Sequence, residues 1–361
     1  MSEFSKFNGV CLVTGGAGFI GCAISPLLAE KFSQVVVFDN LHPQIHAVRE
    51  RPAALDAAVD LVVGDITVPE AWDSLLSKVK PDVIVHLAAE TGTGQSLTES
   101  TRHAMVNVVG TAAMLDGLGR HEIVPSRMVL SSSRAVYGEG RWRSNDGGND
   151  VYPGQRTLAQ LEAGQWDFPS LTSEPFNAIK TSAAPTSIYG GTKLAQEHLL
   201  SAWALAHGSS VRILRLQNVY GPGQSLSNPY TGIVSLFVRM AKAGKSIPLY
   251  EDGEMTRDFV FINDVASALV AALLTSNENF IRDVGIGRAA TIRTVAEFIS
   301  QRYGAPAPHV CKKFRNGDVR HAACDITETL QTLEWTPKVD LEDGLEKLCQ
   351  WIDEQGSLPP L

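Results

Sequence analysis

The sequence has no C-x-x-C pair, and its five cysteines (Cys11, Cys22, Cys311, Cys324 and Cys349) leave one over however they are joined. Neither a zinc ribbon nor a disulfide framework can be its organising principle, no metal is expected, and reduced thiols in a cytoplasmic protein are the simplest expectation. No apolar run approaches the roughly 18 residues of a membrane span, and the stretch before the first glycines holds no apolar export-signal core. Positive charge is also scarce. With 31 Lys and Arg against 39 Asp and Glu, the net charge is −8, which speaks against a general face for nucleic acid or an anionic membrane. A small anionic ligand needs only a few local arginines.

What is present is a chain of 361 residues, 44% of them apolar, enough for a large α/β core with or without a smaller companion. Near its start stands "LVTGGAGFIG", Leu12 to Gly21. The residues before it read as a short buried strand, and Phe19, Ile20, Ala23, Leu27 and Leu28 follow at helical spacing. In that setting Gly15 permits a tight exit from the strand, Gly18 lets backbone N–H groups approach a pyrophosphate, and Gly21 permits close helix packing. Pro26 inside the helix is expected to remove one hydrogen bond and bend it.

A second strand, "QVVVFDN", ends in Asp39 and Asn40, 24 positions after Gly15. A carboxylate there accepts hydrogen bonds from ribose hydroxyls and repels a 2′-phosphate, so NAD is expected over NADP. "LVVGDI" brings Asp65 and Ile66 to the end of a third strand, and "PDVIVHLAAE" supplies a fourth. This rhythm predicts a Rossmann fold, an α/β doubly wound parallel sheet, with a smaller α/β substrate-binding domain. His86, within an apolar strand, reads as a satisfied core residue.

Further along, "MVLSSSRAVYGEG" reads as a strand ending in serines, and "SIYGGTKLAQEHLL" as a loop entering a helix. Tyr189 and Lys193 are four apart, on one helical face. A phenol is a poor base at neutral pH, but neighbouring positive charge favours its phenolate. Tyr189 can then take a proton from a sugar hydroxyl while hydride leaves the same carbon, with Ser133 orienting the reacting oxygen.

Taken in order, "TGGAGFIG", "HLAA", "SSS..VYG", "YGGTK", "RLQNVYGPGQ" and "RDFVFINDV" resemble the extended short-chain dehydrogenases/reductases that act on nucleotide sugars, the NAD-dependent epimerases and dehydratases, over about residues 10–325. The resemblance implies that Gly15, Gly18, Phe19 and Ile20 line the pyrophosphate of NAD. Asp39 and Asn40 would meet its ribose, Asp65 and Ile66 its adenine, and Leu87, Ala88 and Ala89 its middle. It implies Ser133, Tyr189 and Lys193 as the catalytic set, the last two also touching the cofactor. For a nucleotide-diphosphate sugar it implies Thr91, Ser133, Asn218, Arg257, Arg315 and Asp318. Arginines there suit a diphosphate, although Arg257 can also be read as half of a structural salt bridge.

Dehydratases of this family carry an Asp-Glu pair where this chain has Arg134 and Ala135, which leaves dehydration without an acid and a base. A 4-epimerase acting through a 4-keto sugar needs no more than the set above. "SSSRAVYGEG", "AETGTGQS" and "QNVYGPGQSLSNPYTGI" most resemble the bacterial subfamily that interconverts dTDP-L-rhamnose and dTDP-6-deoxy-L-talose. A UDP-sugar 4-epimerase, a net 4-dehydrogenase or 4-keto reductase, and a non-catalytic dinucleotide sensor stand as alternatives. The expected division is an NAD-binding domain of residues 1–218 and 256–284, with an irregular insertion at about 139–186, and a sugar-binding domain of 219–255 and 285–361. The insertion either closes over the sugar or packs on the surface or against another subunit. Apolar faces near 101–119 and 190–207, with the family resemblance, make a homodimer the expected assembly.

Overall fold

The computed structural model describes residues 7–356 apart from 47, 227–231 and 277. Part of the segment "QNVYGPGQSLSNPYTGI" therefore lies outside the described residues. The first half of the chain alternates strands with helices: β1 (Phe7–Thr14), α1 (Phe19–Lys31), β2 (Phe32–Asp39), β3 (Asp60–Val63), α2 (Pro69–Leu76) and β4 (Val83–His86). There follow α3 (Ser100–Ala104), α4 (Gly110–Arg120), β5 (Arg127–Ser133), α5 (Ile188–His207), β6 (Ser210–Leu216), α6 (Ile262–Leu274) and β7 (Phe280–Val284). The seven strands form one parallel sheet in the order β3-β2-β1-β4-β5-β6-β7. It is the doubly wound sheet that the sequence predicts.

Both faces of this sheet are covered, which is why its strands read as apolar runs. Val13, Val35, Val37 and Val85 pack under α1 and α6 through Ile24, Leu28, Val265 and Leu269. Leu12, Val36, Phe38 and Ile84 face the other way, onto Trp72, Met114, Leu118 and Leu200 of α2, α4 and α5. All strands point the same way, so Thr14, Asp39, His86 and Ser133 finish on one edge, and the chain crosses over between β1 and β4 there. That crevice is where ligands meet such sheets.

Pro26 does not break α1, which runs unbroken from Phe19 to Lys31. The Cys22 carbonyl, which a residue 26 amide would ordinarily serve, instead accepts from the Ser25 hydroxyl at 2.8 Å. A separate apolar core joins the helices Ile233–Lys242, Ile292–Tyr303 and Leu341–Glu354 through Val234, Phe237, Val295, Ile299, Leu348 and Ile352. Among the described residues no helix is long and apolar enough to cross a membrane.

The 139–186 segment is less irregular than expected. Trp142–Ser144 pairs antiparallel with Asp150–Val151 and with Leu171–Ser173, and a helix, Leu158–Glu162, opens with a capping box of Thr157 and Gln160. Strands of two or three residues carry no detectable alternation, so they are silent in sequence. What fixes them is burial. Trp142 is 1% exposed, packs edge-on to Phe168 and donates its indole N–H to Glu139 O at 3.0 Å.

Candidate functional site

A cavity of about 660 Å³ opens at the crossover, lined by Gly15, Gly18, Phe19, Ile20, Asp39, Asn40, Asp65, Ile66, Leu87, Ala88, Ala89 and Thr91. Gly15 has φ +66°, and a Cβ there would lie 2.6 Å from the Ala88 backbone. A Cβ on Gly21 would lie 2.3 Å from Gly16 O, so only glycine lets α1 seat this close to the loop. Gly18 caps α1 with no side-chain hydrogen bond, which leaves the first N–H groups of the helix directed at the cavity with their partial positive charge. Asp39 Oδ2 accepts from Ala17 N at 3.0 Å and Oδ1 from Leu41 N at 2.8 Å, so the carboxylate also shapes the glycine loop. Asn40 Nδ2 donates to Asp65 Oδ2 at 3.0 Å. Burial works against ionisation of Asp65, but the hydrogen bonds from Asn40 and Thr67 prevail and hold its carboxyl below the usual range.

These features fit NAD: an uncapped helix end for the pyrophosphate, a carboxylate at the ribose end, and an apolar floor of Ile66, Leu87 and Ala88.

Ser133 ends β5, and Tyr189 and Lys193 lie in the first two turns of α5. The helix is set in place by several contacts. Ser187 Oγ accepts from Gly190 N at 3.0 Å. Glu197 is forked by Arg215 at 2.7 and 3.0 Å and accepts from Ser132 Oγ. Burial raises the Tyr189 phenol, while a hydrogen bond from Ser133 and the charge of Arg134 oppose that rise. Lys193 is 2% exposed, and its Nζ donates to Gln196 Oε1 at 2.5 Å. Burial pushes its ammonium down to about 7, against the pull of Glu197.

Behind Gln196 lies a chain of polar groups that sequence reasoning missed. Gln196 Nε2 donates to Thr111 Oγ1 at 2.9 Å and lies 3.1 Å from His86 Nε2, while His86 Nδ1 meets Thr14 Oγ1 at 2.6 Å. His86 is thus a partnered core residue, and burial and Lys193 push it down to about 3, so it is neutral. Asn107, in the π-helical turn Met105–Val109, binds Glu90 N and O at 2.7 and 3.0 Å and Thr192 Oγ1 at 2.9 Å. It ties the loop after β4 to the helix of Tyr189. The "NVVGT" run was the available signal, but a π turn has no periodicity of its own.

The expected sugar-site residues fall into two groups. Asn218 Oδ1 accepts from Arg134 Nε at 2.8 Å, and Arg134, Arg257 and Asp318 line one small cavity with Thr93 and Ser187. Arg257 is 7% exposed and donates to the carbonyls of Thr256 and Arg320 at 2.7 and 3.3 Å; among the described residues it makes no ion pair. Arg315 is exposed, stacks over Tyr250 at 5.2 Å and lines neither cavity. Thr91 belongs to the larger cavity instead.

The insertion reaches this site through a buried charge network. Arg156, fully buried, contacts Glu139 at 3.2 Å and Glu251 at 2.8 and 2.9 Å, and donates to Asp318 O at 2.8 Å. Arg320 joins Glu251, Asp252 and Asp167. The segment thus packs against the loop that carries Asp318, just before the strand His321–Ala322.

The signature of the NAD dependent epimerase/dehydratase family matches residues 11–287. The chain is 59% identical over 345 residues to a dTDP-L-rhamnose 4-epimerase of Burkholderia thailandensis, covering 95% of each. It superposes on the crystal structure of a Thermotoga maritima UDP-glucose 4-epimerase with UDP-glucose with a TM-score of 0.78, at 27% identity and 96% and 99% coverage. A Thermus thermophilus UDP-glucose 4-epimerase in complex with NAD gives a TM-score of 0.75 at 27% identity, again covering 96% and 99%.

Proposed function

The chain belongs to the NAD dependent epimerase/dehydratase family, and from that premise we propose that it is a 4-epimerase of dTDP-6-deoxyhexoses that interconverts dTDP-L-rhamnose and dTDP-6-deoxy-L-talose. The observation that carries this reading is the 59% identity to a dTDP-L-rhamnose 4-epimerase over 95% of both chains. The presence of Arg134 and Ala135 in place of an acid-base pair supports epimerisation over loss of water.

NAD would be held by the glycine loop, the uncapped end of α1, Asp39 and the β4 loop, and when bound it supplies a reversible hydride acceptor for C4. The chain's own residues do the rest. Tyr189 takes the proton of the 4-hydroxyl and later returns it, and Ser133 orients that oxygen. Arg257, Asn218 and Arg315 hold the diphosphate, so that the sugar ring can turn over while its nucleotide stays fixed. Asp318 is assigned to the nucleotide ribose and Thr91 to the sugar side of the cofactor cleft. We assign the sugar nucleotide to the portion formed by 219–255 and 285–361.

Incubating the protein with dTDP-, UDP- and GDP-sugars and following C4 by NMR tests this reading, together with analysis of the cofactor released on denaturation. The expected result is a C4 epimer from dTDP-L-rhamnose without added cofactor, and release of NAD. Turnover of UDP-sugars alone would overturn the substrate, and release of mostly NADP would overturn the role of Asp39.

A further inference from the structure

Lys193 stands one turn after Tyr189 on α5 and is sealed from water, 2% exposed. A buried ammonium carries three donors and needs an acceptor. Glu197, one turn further along the same helix, is taken up by the fork from Arg215 and by Ser132. The acceptor that meets Nζ is the amide oxygen of Gln196, three residues on, at 2.5 Å. Gln196 is itself fully buried, and its amide nitrogen is fixed by groups from two other elements: Thr111 Oγ1 of α4 at 2.9 Å and His86 Nε2, at the end of β4, at 3.1 Å.

The polarity of this string follows from the lysine. Lys193 can only donate, so the amide turns its oxygen to Nζ and its two hydrogens to Thr111 and His86. Thr111 Oγ1, 2.9 Å from the same ring nitrogen, gives its own hydrogen to Asn107 O at 2.6 Å and is left as an acceptor. The neutral His86 ring then accepts at Nε2 and carries its hydrogen on Nδ1, which donates to Thr14 Oγ1 at 2.6 Å. Thr14 is the last residue of β1, next to Gly15, and its hydroxyl accepts from Ala88 N at 3.4 Å in the wall of the large cavity. Donors thus run in one direction from the lysine to the root of the glycine loop.

We propose that Gln196 is a positioning residue for Lys193, its amide oxygen fixing Nζ through a string anchored on α4 and at the end of β1. The inference rests on the reading of Lys193 as a member of the catalytic set of a 4-epimerase. What position 196 must supply is an oxygen facing Nζ. Glutamate offers one at the same reach, with His86 moving its hydrogen to Nε2 to face the second oxygen, whereas methionine fills similar space and offers none. A packing role alone predicts the reverse order, because an apolar side chain is easier to bury than a carboxylate.

The test compares Gln196→Met with Gln196→Glu in two measurements. With isotopically labelled lysine, the Nζ nuclear magnetic resonance signal, assigned by its loss in Lys193→Met, is expected to persist in Gln196→Glu and to broaden away in Gln196→Met. In rates of C4 inversion, kcat is expected to fall about tenfold or more in Gln196→Met with KM for the nucleotide sugar nearly unchanged, and to recover to within about threefold of the parent in Gln196→Glu. An unmoved lysine signal in Gln196→Met, parent-like kcat in that variant, or Gln196→Met matching or outperforming Gln196→Glu overturns the proposal. If Gln196→Met does not fold, Thr111→Val takes its place: it removes the amide's anchor on α4, the same broadening and loss of kcat are expected, and parent behaviour overturns the proposal. The signal reads Lys193 without any sugar present, so a protein that inverts no sugar at C4 would count against the proposed function and leave the lysine result standing.

Discussion

Tyr189→Phe is expected to lower turnover by on the order of 10² or more while leaving the fold and the cofactor content of the protein unchanged. The substitution removes one oxygen and keeps the ring. The ring's neighbour His103, edge-on at 6.4 Å, and the Ser187 cap at the start of α5 do not depend on the hydroxyl. What is lost is the group proposed to take the 4-hydroxyl proton, and none of the other residues around it substitutes well. Lys193 is engaged by Gln196, Ser133 is a poor base, and Arg134 is a cation. Steady-state rates of C4 inversion check this, and turnover close to that of the parent would assign the base to another residue.

Arg156→Ala is the second large effect, and it falls on stability. Arg156 lies in the insertion, yet its fork reaches Glu251, 95 positions away, and Glu139, with all three side chains almost fully buried. Burial already lifts the Glu139 carboxyl, against the pull of Arg156 and Arg257. Removing the arginine leaves two buried carboxylates short of a cation, and Arg320, which also reaches Glu251 at 3.2 Å, compensates in part. Breaking such a pair costs about 3–5 kcal/mol, read as a fall in the unfolding midpoint in urea. Because Arg156 also holds the Asp318 carbonyl, affinity for the nucleotide sugar should fall in the same variant. Parent-like stability would mean that the insertion is not anchored through this network.

The parts of the molecule legible in the sequence are those whose cause is local. The φ of Gly15 and the close approach at Gly21 follow from a strand-turn-helix of ten residues, and Asp39 follows from the end of the next strand. Tyr189 and Lys193 share a helical face by spacing alone. The parallel, doubly wound character of the sheet follows from alternating strands and helices, because parallel pairing demands crossovers. Illegible were the contacts between residues far apart in the chain: Arg134 with Asn218, separated by 84 positions, and Arg156 with Glu251. In sequence Arg134 signified only a missing acid. Its partner is set by where β5 ends and the strand Asn218–Tyr220 begins in space. Pro26 takes away one backbone hydrogen bond, as its chemistry dictates, and the serine one residue earlier supplies a partner for the carbonyl so freed.

The central claim, that C4 is inverted by removing and returning its own hydrogen while Tyr189 handles only the hydroxyl proton, is tested most directly by running the reaction in D₂O and weighing the product. If the hydride is held on the cofactor until it is returned, it does not exchange with solvent, so the epimer is expected to form without deuterium at C4. Deuterium at C4 in proportion to turnover would contradict the account, because it would place a solvent-exchanging base at that carbon.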